Sequence, residues 1–514
     1  MAKTLVVNNL TEHGLITDVA PFNTPANAWT SARNVSFENG GVVKAGNRTQ
    51  ILTPAVAPVN KTYSKLGKIY YTTQTQILQN TGIKSVNLSH GGGSYSPTEE
   101  WFIADLSNVL VFVNPVEVPQ MLLPSAAQAT DLTGWGWENG MNIYWRTPLI
   151  RAYKNFLVAI GMTEGIVDYP QRIRWSDLAV PNQAPVTWDA SDTTKSAGFN
   201  DLSEARGKLI DALEYKDTFF IYTSEEVFMM SYVGGNDIFS FRKVFNDVSI
   251  LAKECVCSVN GGHFVVTNSD IIIHNGGSYT SVITNKIKKE LFSNISKGDP
   301  DRVRVQSYPA KNEVWVCYPS SPTSSLDRAA IFNMDNGTWT YRELPNFTTI
   351  SYASFPSESD KIIDSQHQII NTDHSLINGV GKDFTKGCLY AVSDTLEFWA
   401  IDDGTYGNST LPSSVSKQYI DFDEWSVEAT QHKLVKAVYP QCQGSGTLWI
   451  SLGVSESPVD APTWSTAVPF NIGTDRKADF RVTGRYISIK FESFSPNTWS
   501  LLSYGIEGAP RGDK

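Results

Sequence analysis

Short apolar strands recur along this chain at a nearly even interval, and no other feature constrains the fold as much. One copy lies in CSVNGGHFVVTNSDIIIHNGGSY. Residues 264–267 and 271–274 read as strands, Asn268-Ser269-Asp270 turns between them, and Gly261-Gly262 and Gly276-Gly277 close the ends. The same texture returns at 68–71, 109–113, 155–160, 218–222, 313–318 and 387–392. Centres lie roughly 40 to 75 residues apart, most often near 45 to 50, the period of a four-stranded propeller blade. One blade cannot bury both of its faces; radial stacking covers each face with the next blade and leaves only short edges. Wider intervals coincide with polar stretches at 175–208 and 357–382. The expectation is an all-β fold. A β-propeller of about six or seven blades spans residues 1–415, with a loop insertion at 175–208. The best helical pattern, KIKKELFSNI at 286–295, is short.

Past Leu411-Pro412-Ser413-Ser414 the texture changes. Strands lengthen, and in Arg485-Tyr486-Ile487-Ser488-Ile489-Lys490-Phe491 apolar residues fall at every second position, as for a strand with one buried face. Residues 416–514 are therefore expected to form a separate β-sandwich. An aromatic complement of 14 Trp, 21 Tyr and 24 Phe favours strands throughout.

Composition narrows the function classes. Five cysteines, Cys255, Cys257, Cys317, Cys388 and Cys442, are too few and too scattered for a disulfide framework and fit a reducing cytosol. The start, MAKTLVVNNLTEHG, lacks the basic and apolar runs of a secretion signal, and no stretch is apolar enough for a membrane span. Triplets such as Asn34-Val35-Ser36 and Asn408-Ser409-Thr410 then read as chance, as does Arg511-Gly512-Asp513. The net charge is −10 without a basic run, so the chain does not look like a wrapping nucleic-acid binder; two readings of the excess charge stay open, that it keeps the chain soluble or that on a surface facing DNA it repels phosphates.

No catalytic constellation stands out, and the chain is read as non-enzymatic, with no cofactor and no metal. His13, His90, His263, His274, His367, His374 and His432 fall outside any metal-ligand spacing. Cys255-Val256-Cys257 has no second pair, so packing on one strand face explains it. Asp421-Phe422-Asp423-Glu424 lacks a calcium-loop pattern and reads as a solvated turn. Gly91-Gly92-Gly93 has neither the lysine nor the helix of a phosphate loop. Asn333-Met334-Asp335-Asn336-Gly337-Thr338-Trp339 resembles a degraded Asp-box, the turn of sialidase-type propellers. There the Asp is expected to cap the turn, the Gly to take positive φ and the Trp to pack between strands. A carbohydrate-active or glycan-binding propeller is the alternative reading, and a scaffolding propeller a third.

Three stretches resemble the tail nozzle proteins of short-tailed bacteriophages, also called packaged-DNA stabilisation or tail tubular proteins. The first comprises Gly14-Leu15-Ile16-Thr17-Asp18, Asn27-Ala28-Trp29, Asn34-Val35-Ser36-Phe37-Glu38-Asn39-Gly40 and Lys44-Ala45-Gly46, similar to the family's opening hairpin and first blade. The second is Pro170-Gln171-Arg172-Ile173-Arg174-Trp175-Ser176-Asp177, then Trp188-Asp189, Gly207-Lys208-Leu209-Ile210 and the hairpin over 218–231. The third is Gly484-Arg485-Tyr486-Ile487-Ser488-Ile489-Lys490-Phe491 followed by Trp499-Ser500-Leu501-Leu502-Ser503-Tyr504-Gly505-Ile506. The resemblance implies a virion structural protein, assembled in the host cytoplasm. It implies a homo-hexameric ring below the portal and the tail adaptor that touches fibre, spike or needle proteins, with double-stranded DNA passing through without specific binding. In this family the ring extends the DNA channel and helps retain and release the genome. Little room is left here for the large inserted domains of the longer members.

Overall fold

In the computed structural model the chain is nearly all β, 52% strand against 5% helix. The structure describes residues 3–98, 100–235, 237–354, 387–402, 411–420, 422 and 431–511. The whole of the expected polar stretch at 357–382, with His367 and His374 in it, Asn408-Ser409-Thr410, three of the four residues in 421–424, and Gly512-Asp513 lie outside the described residues.

Among the described residues, seven antiparallel groups of four principal strands follow one another, the first five as separate sheets and the last two within one larger sheet that Ser31–Arg33, parallel to Thr338–Ser354, continues into the C-terminal strands. The first holds Lys61–Lys65, Lys68–Thr72, Ile77–Asn80 and Ser85–Asn87. The second holds Phe102–Leu106, Val109–Val113, Gln120–Leu122 and Thr130–Asp131. The third holds Leu149–Tyr153, Phe156–Glu164, Val167–Trp175 and Gly198–Asp201, with Trp145–Arg146 alongside. The fourth holds Leu209–Tyr215, Thr218–Thr223, Val227–Tyr232 and Phe239–Phe245; the fifth, Val256–Val259, Gly262–Val266, Ile271–His274 and Tyr279–Ser281. The sixth runs Arg304–Tyr308, Glu313–Tyr318, Leu326–Asn333 and the start of Thr338–Ser354. The rest of that strand opens the seventh, with Gly387–Ser393, Phe398–Ile401 and, from far earlier in the chain, Arg48–Gln50.

The strands legible in the sequence are the second strands of these sheets. Val109–Val113 and Glu313–Tyr318 are buried at every residue, because neighbouring sheets cover both faces. First strands such as Lys61–Lys65 and Arg304–Tyr308 are more polar and half-buried, and carry no such signal. The hairpin of residues 264–274 forms the second and third strands of its sheet, with Val256–Val259 paired beside it as the first. Gly262 is needed at that edge, since a Cβ there would sit 2.0 Å from the His274 carbonyl oxygen.

First strands contact first strands around a circuit. Lys61–Lys65 touches Phe102–Leu106, which touches Leu149–Tyr153, then Leu209–Tyr215, Val256–Val259, Arg304–Tyr308 and Thr338–Ser354, which returns to Lys61–Lys65. Trp175 joins the third sheet to the fourth, with its ring 5.2 Å from Phe239 and 6.1 Å from Phe241, as expected of a large aromatic at a strand end.

The strand pairing departs from the expected division at 415/416. Residues 3–44 do not open the first of the seven sheets; they pair with the C-terminal strands. Lys3–Val7 and Gly41–Lys44 both flank Trp499–Pro510, whose other side takes Lys433–Gly444. Ser31–Arg33 lies beside Ser413–Ile420, which pairs Tyr486–Ser493 and, through it, Thr447–Ser455. Val35, Phe37, Val42, Leu501 and Ile506 from the first of these sheets share one core with Val415, Ile450, Ile487, Ile489 and Phe491 from the second. The physical reason is edge satisfaction: strand 499–510 is unpaired along one side until the N-terminal segment supplies its hydrogen-bond partners. The short helix forms close to expectation, at Lys288–Lys297. Both Asp18 carboxylate oxygens accept N–H bonds from its first turn, at 2.8 Å each.

Candidate functional site at the hub of the seven sheets

A polar cavity of about 390 Å³ lies where the first strands meet, and each sheet lends it a residue: Thr62, Phe102, Arg151, Leu213, Ser258, Gln306 and Ser351 in turn. It adjoins a second space of about 580 Å³, lined by Trp101, Lys208, Lys253, Asp301 and the residues that lead into the first strands.

An ionic network sits between the two. Glu254 is ion-paired to Lys61 of the first sheet and, at 3.0 Å, to Arg304 of the sixth. Asp211 of the fourth sheet is wholly buried and receives Arg151 of the third, whose Nη2 donates to both carboxylate oxygens at 2.7 and 2.9 Å and whose Nε donates at 3.0 Å. The Glu254 N–H donates to Asp211 at 2.8 Å, which links the two pairs. Glu254 adopts φ 64°, a conformation of order 1 kcal/mol unfavourable for a non-glycine residue, and that turn aims both its backbone and its side chain at the network. Burial works against the Glu254 carboxylate, but Lys61, Arg304 and Arg151 overcome it and hold its pKa down at about 2. A carboxylate so firmly ionised and so fully partnered is a poor general acid or base at neutral pH. What the arrangement does is tie four of the seven sheets to one hub.

The sequence did not point to this network, because its five members are spread over more than 240 positions without a local motif. The one available signal was repeat phase. Lys61, Arg151, Asp211 and Arg304 all lie on first strands, and Glu254 just precedes one.

Residues singled out in the sequence have other surroundings. His263 and His274 are cross-strand partners within the fifth sheet and share the hydroxyl of Tyr222 from the fourth, 2.7 Å from His263 Nδ1 and 2.7 Å from His274 Nε2. His263 Nε2 donates to the Glu214 carbonyl at 3.1 Å, so its Nδ1 accepts from Tyr222 and the phenol oxygen accepts from His274. Burial depresses both imidazoles, to about 4 for His263 and about 3 for His274. Cys255 and Cys257 are buried, and burial pushes both thiols up to about 12, which leaves them unreactive. His90 meets Asp131 at 3.3 Å and His432 meets Glu456 at 3.4 Å, both beside half- or more exposed carboxylates. Among the described residues, no group of three or more His, Cys, Asp and Glu is placed to hold a metal ion.

The Asp-box-like turn needs one correction. Asn333, not Asp335, caps it: Asn333 Oδ1 accepts from the N–H of Asp335 at 2.9 Å, while Asp335 accepts from the Asn312 side chain. Gly337 takes φ 68° and Trp339 is fully buried, as expected.

The stretch 170–177 likewise serves the framework. Arg172 grips Asp201 with two 2.7 Å bonds and Glu164 at 2.9 Å. Arg174 lies over the Trp145 ring at 3.9 Å and reaches Glu138 and Glu164. Trp175 Nε1 donates to the Ser196 carbonyl at 2.8 Å and so pins the inserted loop.

No family model matches the chain, and no curated protein does. Solved structures give distant likenesses. The extracellular domain of a one-component system from B. thetaiotaomicron is 11% identical over 88% of this chain and 59% of its own, with a TM-score of 0.41. PorZ, a surface component of the type-IX secretion system of Porphyromonas gingivalis, is 8% identical over 85% of this chain and 46% of its own, at 0.39. The AfRom2 CNH domain is 9% identical over 69% of this chain and 99% of its own, at 0.35. The chain thus spans about half the length of PorZ. Similarity at this level leaves the architecture to be read from strand pairing alone.

No described helix is long and apolar enough to cross a membrane.

Proposed function

We propose that the seven sheets are the blades of one β-propeller, that the two C-terminal sheets form a sandwich platform completed by the N-terminal segment, and that the whole is a non-enzymatic structural component of a short-tailed phage virion, the tail nozzle. The observation that carries this reading is the use made of the three family-like stretches. The first and third, some 450 positions apart, meet in one sheet, where Val35–Glu38 pairs Gly41–Lys44 and that strand pairs Trp499–Pro510, and the second fastens the inserted loop. All three go into framework contacts, as fits a part whose task is mechanical. The closed circuit of first strands supports the propeller.

In this reading six copies form a closed ring through a head-to-tail interface below the adaptor. Six chains at −10 each carry about −60, which lets duplex DNA slide past without adhering. The test is an antibody against the purified chain, imaged on virions from the source lysate. Label at the distal end of a short tail, at six copies per particle, is the expected result. Absence of label from every particle overturns the reading and turns attention to glycan screening.

A further inference from the structure

Two turns meet at the end of the third sheet where its first strand begins. One belongs to a short ribbon ahead of that strand, Trp137–Glu138 against Met141–Asn142, turned by Asn139 at φ 50° and Gly140 at φ 74°. The other, Gly165-Ile166, joins the strands Phe156–Glu164 and Val167–Trp175. Arg174 ties the two together, since it reaches Glu138 of the ribbon and Glu164 of the hairpin. Beneath them the buried ring of Trp135 lies 5.8 Å from that of Trp145 and 4.9 Å from that of Trp188. The two turns thus form one firmly based knob.

What the knob presents to solvent is apolar. Ile166 is 99% exposed and Tyr144 74%, with Trp137, Met141 and Val167 exposed as well. Tyr144 is held at φ 54°, uncommon for an aromatic residue, and Asn142 Oδ1 accepts its N–H at 3.0 Å. Single apolar residues scattered on a surface call for no explanation. Five on one rigid knob, with Trp, Tyr and Met among them, have the composition of an interface core.

Charge indicates what the knob meets. Arg146, Thr163 and Asp168 stand opposite one another across three strands, so Arg146 and Asp168 share a face about 10 Å apart. Both are exposed, and among the described residues neither has an ion-pair partner: Arg146 donates to the Gly165 carbonyl, and Asp168 accepts from the Thr163 hydroxyl. Glu138 and Glu164 are already taken, by Arg174 and Arg172. A patch with an unpaired cation on one side and an unpaired anion on the other is complementary to itself. A two-fold rotation sets Arg146 of each copy against Asp168 of the other and brings the apolar residues together between them.

We infer that this knob is a self-association surface, on which a second copy of the chain docks about a two-fold axis with Ile166 and Tyr144 at the centre. A two-fold contact is distinct from the head-to-tail contact of a ring, so it stands or falls independently of the nozzle reading.

Light-scattering mass of the full chain against concentration tests this, with phosphatidylcholine vesicles sedimented in parallel. A monomer–dimer equilibrium is expected. Ile166→Asp and Tyr144→Asn, both at exposed turns where the new residue is tolerated, should leave the melt unchanged and weaken the dimer roughly tenfold or more. Arg146→Asp and Asp168→Arg should each weaken it alone. Mixing those two variants should restore a dimer of one of each, because unlike charges then meet at both ends of the contact. Five results would each overturn the assignment: a chain monomeric at every concentration, a dimer indifferent to Ile166→Asp and Tyr144→Asn, charge variants that fail to restore each other, association past the dimer that the same variants abolish, or a monomer that binds vesicles through the same residues.

Discussion

In the seven sheets nearly every strand pairs with its neighbour in sequence, whereas in the two C-terminal sheets the decisive pairings join the ends of the chain. The first sheet is complete within residues 61–87, while strand 499–510 needs residues 3–7 and 41–44. The two regions therefore close differently. The first closes through a hub, where polar first strands meet and ion pairs hold them. The second closes through an apolar core between two sheets whose edges the N-terminal segment completes. Local pairing makes a region easy to recognise and tolerant of its context; long-range pairing makes the two ends of the chain interdependent.

This contrast breaks most readily by truncation. A chain of residues 411–514 alone is expected not to fold, because its central strand lacks partners along one side, and linking residues 1–50 to it should restore a cooperative melt by circular dichroism. An independently folded fragment would remove the interdependence. Next in size, Trp175→Ala should cost about 4 kcal/mol in urea unfolding, through loss of the contact between third and fourth sheets. An unchanged midpoint would mean that the inserted loop, not the aromatic, joins them.

Glu254→Gln should cost about 3 kcal/mol, since Lys61 and Arg304 lose their counter-charge in a buried hub. The wild-type contribution is full above the ordinary carboxylate pKa of 4.5 and is lost as pH falls toward 2, because the folded value lies below the unfolded one. In the window from 6.5 down to 4.5 the histidines act instead. Their folded values lie below the ordinary 6.5, so the unfolded chain takes up protons first and stability falls with pH, by up to about 1.4 kcal/mol per pH unit for each. A His263→Gln/His274→Gln variant should flatten that part of the stability profile; an unaltered slope would place the proton uptake elsewhere. Smallest of all, Asn333→Ala should cost about 1 kcal/mol by uncapping its turn, while Asp335→Ala should cost less.

Much of the seven-sheet region was legible because a strand covered on both faces must be apolar at successive positions, as in VLVFV and EVWVCY. Its hub was not, because polar strands facing a cavity look like loops, and Lys61, Arg151, Asp211, Glu254 and Arg304 share no spacing. The inserted loop was visible from its polar composition; that Trp175 and Arg174 anchor it was only partly so.

The sequence by itself determined the β character of the chain, the interval of its sheets, the strands buried on both faces and the alternation in 485–491. These follow from which side chains must avoid water, a property each short segment carries alone. Only the tertiary structure decided that residues 48–50 complete the seventh sheet, that residues 3–44 belong with 413–510, and that five scattered charges meet at one hub. Those outcomes depend on backbone edges and buried charges finding partners hundreds of residues away, and no local pattern records where a partner will come from.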